Sequence, residues 1–458
     1  MQNPLKSQLH ILQLEGYDWK RFARWWLSHP FTFSTSQKKP LVYTFKAKLI
    51  LTVTIILFIL PLFLRPPYLI LTTFYLILIF EPFPLLFLSL VIIKPYEFTR
   101  RFLTKETCRR SVLEHPHLTV IGITGSYGKT STKDFLFEIL SRENQTLKTP
   151  ESYNTVFGIA KVVETQLHSK LNYFICEMGA YVRGEIKELT HMVPPNYAIL
   201  TAIGSQHLER FKSLENTTLA KFELIDTVKP ENALVNLDNK FISNQLELPD
   251  YQGVKTYSFI DPRADFFVKS HHLTTSGSNL EVVHQSKTYH FETKLFGTSN
   301  LENLIAAIGI AFMLGLDSKI IQSSVAQITP SPHRLQLISL GKCILIDNAY
   351  SSNKTGFTKI IADLTTLPGK KALITPGIIE LGDHTAVIHE KIGRKAAGVF
   401  DRIILVGHSE RTENLARGIG QKVKIDYLAN NSSVWPTIDA LAKTYDWILL
   451  ENDLPDNF

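Results

Sequence analysis

Cysteine is scarce in this sequence, which has only Cys108, Cys176 and Cys343 in 458 residues. The three are far apart and odd in number, and the last two lie in apolar, strand-like runs. Disulfide-dependent secreted domains carry dense, even sets of cysteines, and cysteine metal sites need closely spaced ligands. The pattern excludes both and predicts reduced cysteines in the core of a cytosolic domain.

A secretory signal peptide, internal repeats and low-complexity tracts are also lacking. The first long apolar run begins at residue 49, which is too late for a signal peptide, and no small-residue cleavage site follows it. At 458 residues the chain is long enough for two or three domains.

Acidic residues are few in the first 110 positions, which hold 5 Asp and Glu against 15 Lys and Arg. That segment has a net charge of +10 in a chain of +7, so the remainder carries −3. The basic excess flanks apolar runs on both sides, as expected for cytoplasmic flanks of membrane spans. The basic charge therefore does not indicate nucleic-acid binding, and we expect no nucleic-acid partner.

Charge is absent from residues 49–64, and Glu81 is the only charged residue in 69–93. We predict a transmembrane hairpin with spans at about 49–64 and 69–93, inside a membrane-anchoring region 1–110. The basic and aromatic segment 17–33 is predicted to lie in the headgroup layer, with an ordinary packed amphipathic helix as the alternative. The expected location is the cell membrane, multi-pass, with the catalytic domains on the cytoplasmic face.

After residue 110, short apolar runs alternate with helix-length segments, a pattern typical of parallel α/β sheets. Residues 251–296 alternate polar and apolar positions and predict an antiparallel β insertion or edge. The best candidate linker is ITPSPHR at 328–334, because its two prolines discourage regular structure. The predicted domains are a central domain at 111–330 and a C-terminal domain at 331–458.

The stretch VIGITGSYGKTSTKDFLFEIL at 120–140 predicts a strand, a glycine loop and a helix. Such a loop turns backbone N–H groups toward a phosphate, the lysine neutralises phosphate charge and the threonine hydroxyl binds Mg²⁺. The strict pattern has glycine where Ile123 stands, and the competing interpretation is a chance Gly-Lys-Thr turn. The predicted nucleotide-contacting residues are Thr124, Gly125, Ser126, Tyr127, Gly128, Lys129, Thr130 and Ser131.

This short loop, ITGSYGKTST, resembles the nucleotide loop of the Mur ligase family, ATP-dependent enzymes that join amino acids or peptides to a carboxylate. Other segments between about residues 115 and 410 resemble the family in the same order, and the central one is most like the branch that adds D-alanyl-D-alanine. They are TPESYNTVFGIAKVV (149–163), CEMGAYVRGEIKELTHMVPPNYAILTAIGSQHLERFKSLENTTLAKFELI (176–225), GTSNLENLIAA (297–307), SPHRLQ (331–336), DNAYSSN (347–353) and IIELGDHTAVIHEKIG (378–393). The resemblance implies a P-loop central domain with a mostly parallel sheet and a Rossmann-like C-terminal domain.

The resemblance also implies a magnesium set around the loop. Thr130 would bind one Mg²⁺, while Glu177, His207 and Lys221 would belong to a second site. In the family the matching lysine is carbamylated by CO₂, so we expect a carbamylated Lys221. The ordinary alternatives are a solvated strand-end glutamate, a satisfied loop histidine and a surface lysine. The predicted catalytic group is Lys129, Glu177, His207 and Lys221.

Four more residues take roles from the resemblance. Asn154 would face the substrate, Asn300 the adenine, Arg334 a phosphate and Asp347 the ribose. Segment 377–393 would help bind the incoming amine, with an ordinary turn and helix as the alternative.

The implied function is an ATP-dependent carboxylate–amine ligase that acts through an acyl phosphate. Its acceptor would be a muramoyl-peptide or a lipid-linked acceptor, and its amine a dipeptide or an amino acid. The open alternatives are another ligase of the superfamily, of the poly-γ-glutamate type, and a membrane-bound nucleotide-binding scaffold without turnover. The chain departs from the D-alanyl-D-alanine branch in two places. The predicted membrane region replaces the domain that grips UDP, and Glu451-Asn452-Asp453 stands where Lys-Gly-Ser is expected.

Overall fold

The computed structural model describes residues 4–29, 41–60, 63, 75, 82–150, 153–204, 206, 208–349, 352–379, 381 and 384–451. The chain divides into two units, the first made of residues 1–103 with 457–458 and the second of residues 104–456.

The first unit is helical in the residues described. It contains α1 (Pro4–Leu14), α2 (Trp19–Ser28), α3 (Phe45–Ile59) and the first part of α4 (Phe83–Leu113). The Asp18 side chain caps α2 by accepting from the backbone N–H groups of Lys20 and Arg21. Phe22 is fully buried in a cluster with residues of α1, α3 and α4. α2 is therefore a packed amphipathic helix, the alternative interpretation of this aromatic segment.

The predicted cell-membrane location is wrong, and the predicted transmembrane hairpin is not supported. α3 has 15 residues and spans about 22 Å, less than the roughly 30 Å of a hydrocarbon core. α4 has 31 residues, but its apolar part ends at Ile93, and Lys94, Glu97 and Arg100 follow. Over the described ranges, no helix combines the length and the apolarity needed to cross a bilayer. Residues 61–62, 64–74 and 76–81 of the predicted hairpin, including Glu81, lie outside the described residues.

The second unit contains a nine-stranded sheet in the order β2-β3-β1-β4-β5-β6-β7-β8-β9. Its strands are β1 (Thr119–Thr124), β2 (Thr146–Lys148), β3 (Tyr173–Glu177), β4 (Tyr197–Leu200), β5 (Ala233–Asn236), β6 (Lys255–Ser258), β7 (Phe266–Thr274), β8 (Gly277–His284) and β9 (Lys287–Thr293). The strands from β2 to β7 pair in parallel, and β7, β8 and β9 pair antiparallel. The predicted parallel sheet with an antiparallel edge is confirmed.

Helices cover both faces of this sheet. They are α5 (Lys129–Leu140), α6 (Val156–Gln166), α7 (Glu185–Met192), the short α8 (Leu208–Phe211), α9 (Leu214–Ile225), α10 (Lys240–Leu246), α11 (Thr298–Met313) and α12 (Ser318–Val325). On β3, Phe174 and Cys176 belong to one core cluster and Ile175 to the other. Successive strand residues point to opposite faces, so a strand buried on both sides must be apolar throughout. This explains the unbroken apolar runs of the sequence.

A six-stranded sheet follows, in the order β10-β11-β15-β12-β13-β14. Its strands are β10 (Gln336–Leu340), β11 (Cys343–Asn348), β12 (Lys371–Thr375), β13 (Arg402–Val406), β14 (Lys424–Leu428) and β15 (Trp447–Glu451). Its helices are α13 (Lys354–Thr365), α14 (Thr385–Ala396), α15 (Glu410–Ile419) and α16 (Val434–Leu441). Only β10 is antiparallel to its neighbour, so this sheet is also mostly parallel. The proposed domain boundary at 330/331 falls between α12 and β10 and stays a prediction.

Polar contacts connect α11 of the central sheet with α13 of the C-terminal sheet. The backbone N–H of Thr298 donates to Asp363 Oδ2 over 2.8 Å, and its hydroxyl donates to Asp363 Oδ1. Lys359 forms an ion pair with Glu302. Glu302 and Asp363 are both largely buried, and burial raises the pKa of each carboxyl group. The Thr298–Asp363 hydrogen bonds and the Glu302–Lys359 ion pair therefore fix α11 against α13, and with them the two sheets.

All three cysteines are buried and free, which confirms the prediction of reduced core residues. Burial raises the pKa of Cys108 to about 12 and that of Cys343 to about 11. It raises the pKa of Cys176 well above the ordinary value as well. Because the thiolate is the reactive form, these thiols are inert in the folded protein.

Candidate active site

The glycine loop connects the carboxyl end of β1 to the amino end of α5. Gly128 is the residue before α5 and has φ +83°, a left-handed conformation that favours glycine. A Cβ atom at Gly128 would collide with Asn303 Oδ1, and one at Gly125 would collide with Thr201 Oγ1. No side chain caps the first turn of α5. The loop therefore presents a helix amino terminus of the kind that binds phosphate.

Lys129 folds back over this loop. Its ammonium group donates to the carbonyl of Gly125 over 2.8 Å and to that of Ser126 over 3.5 Å. Burial lowers the pKa of Lys129, the nearby Glu177 opposes that shift, and the positive charge of Arg334 adds to it. A cation buried against neutral carbonyls, with a second cation nearby, is suited to an anionic ligand such as a phosphate.

Glu177 ends β3 and joins three other side chains. Its Oε2 accepts from the Thr130 hydroxyl over 3.0 Å and from the Lys133 ammonium over 3.1 Å. Its Oε1 accepts from Asn154 Nδ2 over 3.1 Å. The backbone N–H of Glu177 donates to the Thr149 hydroxyl over 3.0 Å. The parallel strands β1 and β3 end at the same edge of the sheet, which is why these residues meet beside the loop.

Lys221 lies on α9 and its side chain is almost fully buried, with 3% of the residue exposed. Burial lowers the pKa of Lys221 to about 7, and the positive charge of Lys129 contributes. Its ammonium lies 5.6 Å from the centre of the Phe211 ring. A small cavity connects Lys221 with the loop; it is lined by Ser126, Lys129, Asn154, Tyr181, Gln206 and Lys221, among others. The structure thus brings five predicted residues, Lys129, Thr130, Asn154, Glu177 and Lys221, to one place.

The other loop residues hold the backbone in shape. The Thr124 hydroxyl donates to the carbonyl of Met178 over 2.8 Å. The backbone N–H of Ser126 donates to the carbonyl of Ala202 over 2.7 Å. The carbonyl of Tyr127 accepts from the Thr201 hydroxyl, and Ser131 is buried on α5. His207 lies outside the described residues, so its predicted role is neither supported nor opposed.

Asn300, Arg334 and Asp347 lie where the two sheets meet. Asn300 Nδ2 donates to the carbonyl of Phe296 over 3.1 Å and to that of Arg334 over 3.3 Å. Asp347 ends β11 and is buried; its Oδ2 is 2.8 Å from Nδ1 of His333, and its Oδ1 accepts from the backbone N–H of Ala349. Asn300 therefore orients the backbone of Arg334, a contact that the prediction of an adenine-facing residue did not include.

Sequence reasoning gave no role to four polar residues of this region: Lys133, Asn303, His333 and Glu451. Lys133 follows Lys129 by four positions on a predicted helix, which puts both on one face, and this spacing could have identified it. Asn303 accepts from the Thr132 hydroxyl over 3.4 Å and lies against Gly128. Glu451 ends β15 and accepts from Ser352 and Asn348. Nothing local in the sequence indicates that the ends of β11 and β15, at Asn348 and Glu451, are adjacent.

The donor set fits Mg²⁺ bound together with a nucleotide. Within the described ranges, no group of three His, Cys, Asp or Glu side chains is arranged to bind a metal without help. Mg²⁺ commonly takes one or two carboxylates and completes its shell with water and phosphate oxygens. Glu177 and Thr130 beside a phosphate loop match that requirement.

Comparison with known proteins relates the chain to one family of enzymes. Residues 123–311 match the model of the Mur ligase middle domain. The UDP-N-acetylmuramoyl-tripeptide–D-alanyl-D-alanine ligase of Escherichia coli K12 is 29% identical over 307 residues, which is 66% of this chain and 67% of that protein. Over these residues the chain is similar to the Mur ligases. The prediction of an ATP-dependent ligase is thereby confirmed.

Solved Mur ligases have the same fold. Crystal structure I of MurF from Acinetobacter baumannii superposes with a TM-score of 0.67 at 26% identity, covering 77% of each chain. The MurF ligase of Thermotoga maritima in complex with ADP superposes with a TM-score of 0.68 over 77% of this chain and 80% of that one. At 22% identity the second similarity shows the fold alone.

Proposed function

We propose that this Mur ligase joins D-alanyl-D-alanine to the free carboxylate of a UDP-linked muramoyl-tripeptide, with ATP as the energy source. The observation that carries the proposal is that Lys129, Asn154 and Lys221 line one small cavity. Asn154 also donates to Glu177, which accepts from Thr130. The names of the relatives in Escherichia coli and Acinetobacter baumannii support the choice of substrates. Amide formation from a carboxylate is uphill, so the carboxylate first takes the γ-phosphoryl group of ATP and becomes an acyl phosphate. The amine then attacks the acyl carbon and inorganic phosphate leaves.

The phosphate loop would hold the triphosphate of ATP. Its backbone N–H groups and the amino end of α5 would surround the phosphates, and Lys129 would exchange its contact with the Gly125 carbonyl for a phosphate oxygen. The influence of Arg334 on the pKa of Lys129 supports a second cation for the same phosphates, supplied from the segment that leads into β10. Holding the phosphoryl group between fixed cations lowers the barrier to its transfer.

Two magnesium positions fit the proposal. Thr130 would bind one ion together with phosphate oxygens, and Glu177, His207 and Lys221 would belong to the second. When bound, Mg²⁺ would neutralise phosphate charge. Asn154 bonds to Glu177 and lines the cavity, so we propose that its amide also faces the substrate carboxylate.

The carbamate on Lys221 is a proposal carried by the family resemblance. Its neutral amine would attack CO₂, form a nitrogen–carbon bond and lose a proton, which leaves an anionic group in place of a cation. The burial of Lys221 supports it, because a neutral amine is the form that reacts and an anion there would face Lys129. A buried lysine that stayed charged would instead repel the magnesium ions.

The nucleoside would lie between the sheets. We propose that Asp347 binds the ribose, with His333 orienting its carboxylate. Asn300 would act on the adenine side through the Arg334 backbone that it holds. Segment 377–393 would contribute to binding the amine, at the carboxyl edge of the C-terminal sheet.

Phosphate release separates this function from its alternatives. Purified protein with MgATP and UDP-muramoyl-tripeptide would be offered D-alanyl-D-alanine, single amino acids including glutamate, and no amine. We expect rapid release of phosphate, and a new amide product by mass spectrometry, only with D-alanyl-D-alanine. Release with glutamate alone would favour the poly-γ-glutamate type. No release with any acceptor and amine would contradict a ligase.

A further inference from the structure

Lys133 is a buried cation that the proposed mechanism does not use. Its side chain is fully buried on α5, one turn beyond Lys129, and its ammonium lies 3.1 Å from Glu177 Oε2. Glu177 itself is 1% exposed. Fully buried lysines are rare. Moving both charges of an ion pair out of water costs free energy, and the attraction between them often does not recover it. The pair therefore needs an explanation beyond stability.

Lys133 takes up one of the hydrogen-bonding directions of the Glu177 carboxylate. A carboxylate can accept about four hydrogen bonds, two at each oxygen. Thr130 and Lys133 both donate to Oε2, whereas only Asn154 donates to Oε1. Among the residues that the structure describes, this leaves one accepting direction on Oε1 and none on Oε2. A divalent ion can therefore reach this carboxylate through Oε1 alone unless Thr130 turns away.

We propose that Lys133 is a positioning residue that restrains metal binding at Glu177 until a nucleotide is present. It occupies Oε2 and adds a fixed positive charge, so the carboxylate by itself is a poor ligand for a divalent cation. Phosphate oxygens of ATP supply the missing negative charge and ligands. The enzyme then takes up metal with nucleotide and not before. The inference rests on the proposed metal role of Glu177, but its test needs no turnover.

Electrostatics gives the sign and the size of the effect. A lysine charge within about 6 Å of a doubly charged ion is strongly repulsive even at an effective dielectric constant of about 20. Removing it frees one direction on Oε2 as well. We therefore expect Lys133→Met to bind a divalent ion more tightly in the absence of nucleotide, by roughly tenfold or more. A lysine that only stabilised the fold would change the unfolding temperature and leave ion affinity unchanged.

The experiment measures Mn²⁺ binding to the full-length, nucleotide-free protein by the electron paramagnetic resonance of free Mn²⁺. Three proteins are compared: the wild type, Lys133→Met and the control Lys148→Met. Lys148 pairs with Asp134 on the same side of the sheet but is partly exposed and does not contact Glu177. We expect at least tenfold tighter binding for Lys133→Met and a change below twofold for the control. Equal affinities in wild type and folded Lys133→Met would overturn the proposal.

Two further variants keep the test decisive if Lys133→Met fails to fold. Lys133→Gln can still donate to Oε2 but carries no charge, and it should also bind Mn²⁺ more tightly. If it too is unfolded, the wild type decides, because the proposal requires weak Mn²⁺ binding without nucleotide that depends little on Glu177. Tight Mn²⁺ binding by the nucleotide-free wild type that is lost in Glu177→Gln would contradict the proposal.

The outcome is separate from that of the ligase assay. Mn²⁺ binding and unfolding temperature are measured without acceptor or amine. A protein that released no phosphate with any substrate would contradict the proposed function and leave the Lys133 result in place. If the wild type is an active ligase and Lys133→Met has unchanged Mn²⁺ affinity, the Lys133 proposal is contradicted and the proposed function is not.

Discussion

At the scale of single residues, Lys221 offers a direct test of the proposed carbamate. We expect Lys221→Ala to abolish acyl-phosphate formation, because a neutral methyl group can neither form a carbamate nor bind magnesium. Added bicarbonate should not restore activity, whereas short carboxylic acids that fit the vacated space should restore part of it. The measurement is acyl-phosphate trapping with hydroxylamine at several acetate concentrations. Full activity of the variant without acetate would refute the role.

Glu451 is a second residue with a measurable consequence. It is fully buried at the end of β15, accepts from Ser352 and Asn348, and burial raises its pKa to about 7 from an ordinary 4.5. The folded protein then binds a proton that the unfolded chain releases, so the free energy of unfolding falls as pH rises from about 4.5 to about 7. The loss is complete only well above pH 7, where the folded protein has also released the proton.

Glu451→Gln should remove this dependence while keeping a polar side chain in the site. Between pH 5.5 and 8.5 the wild type should lose about 2 kcal/mol of unfolding free energy relative to the variant. Urea unfolding of both proteins at the two pH values measures the difference. A constant difference across that range would mean that Glu451 does not titrate there.

At the scale of elements, the junction between the glycine loop and α5 is tightly constrained. Gly128→Ala combines a left-handed conformation with a collision against Asn303. Gly184→Ala is a matched control, since Gly184 also precedes a helix, has φ +90° and has no atom within 4 Å of the new methyl group. We expect about 1 kcal/mol of destabilisation in the control and up to about 3 kcal/mol in Gly128→Ala.

Nucleotide binding should separate the same two variants. Gly128→Ala should bind ATP at least tenfold more weakly in a calorimetric titration, because the loop must move to admit the methyl group. Gly184→Ala should bind it normally. Similar affinities in the two variants would show that the loop around Gly128 tolerates a side chain.

The sequence predicted the elements around the site well because their signals are local. A strand, glycines at fixed spacing and a lysine-threonine pair specify a phosphate loop, and the strand-end position of Glu177 already placed it at the correct edge. The roles of Lys133 and Glu451 were missed because their partners are distant in sequence. Glu177 lies 44 positions from Lys133, and Asn348 lies 103 positions from Glu451. Only the order of strands in the sheets brings them together.

The membrane prediction failed for a different physical reason. Apolar residues that pack between helices look the same in a sequence as those that face lipid. Ile50 of α3 and Leu86 of α4 are both fully buried in the helical core of the first unit, although Ile56 and Ile92 of the same helices are exposed. The length of α3, and the charges that follow Ile93 in α4, become decisive only once helix boundaries are known.

At the scale of the whole molecule, α4 determines where the second unit can be cut. Its last turns carry Cys108 and Val112, which are buried in the core of the central sheet. Lys105 pairs with Glu188 over 2.9 Å, and Arg109 contacts His191 on the same helix. These contacts belong to the second unit although α4 begins in the first.

A chain that begins at residue 104 should therefore fold and bind ATP. One that begins at residue 114 should be less stable by about 3 kcal/mol or more, because it loses two buried side chains and the ion pair. Urea unfolding and ATP titration of the two truncated proteins measure this. Equal stabilities would show that the end of α4 is dispensable.

The positions of the three cysteines make the protein its own reporter of local opening. Cys108 lies on α4, Cys176 precedes Glu177 at the end of β3, and Cys343 begins the second strand of the C-terminal sheet. A small alkylating reagent can modify each one only when its surroundings come apart. Timed labelling followed by peptide mass spectrometry would thus rank three regions by how often they open, with and without nucleotide, in the unaltered chain.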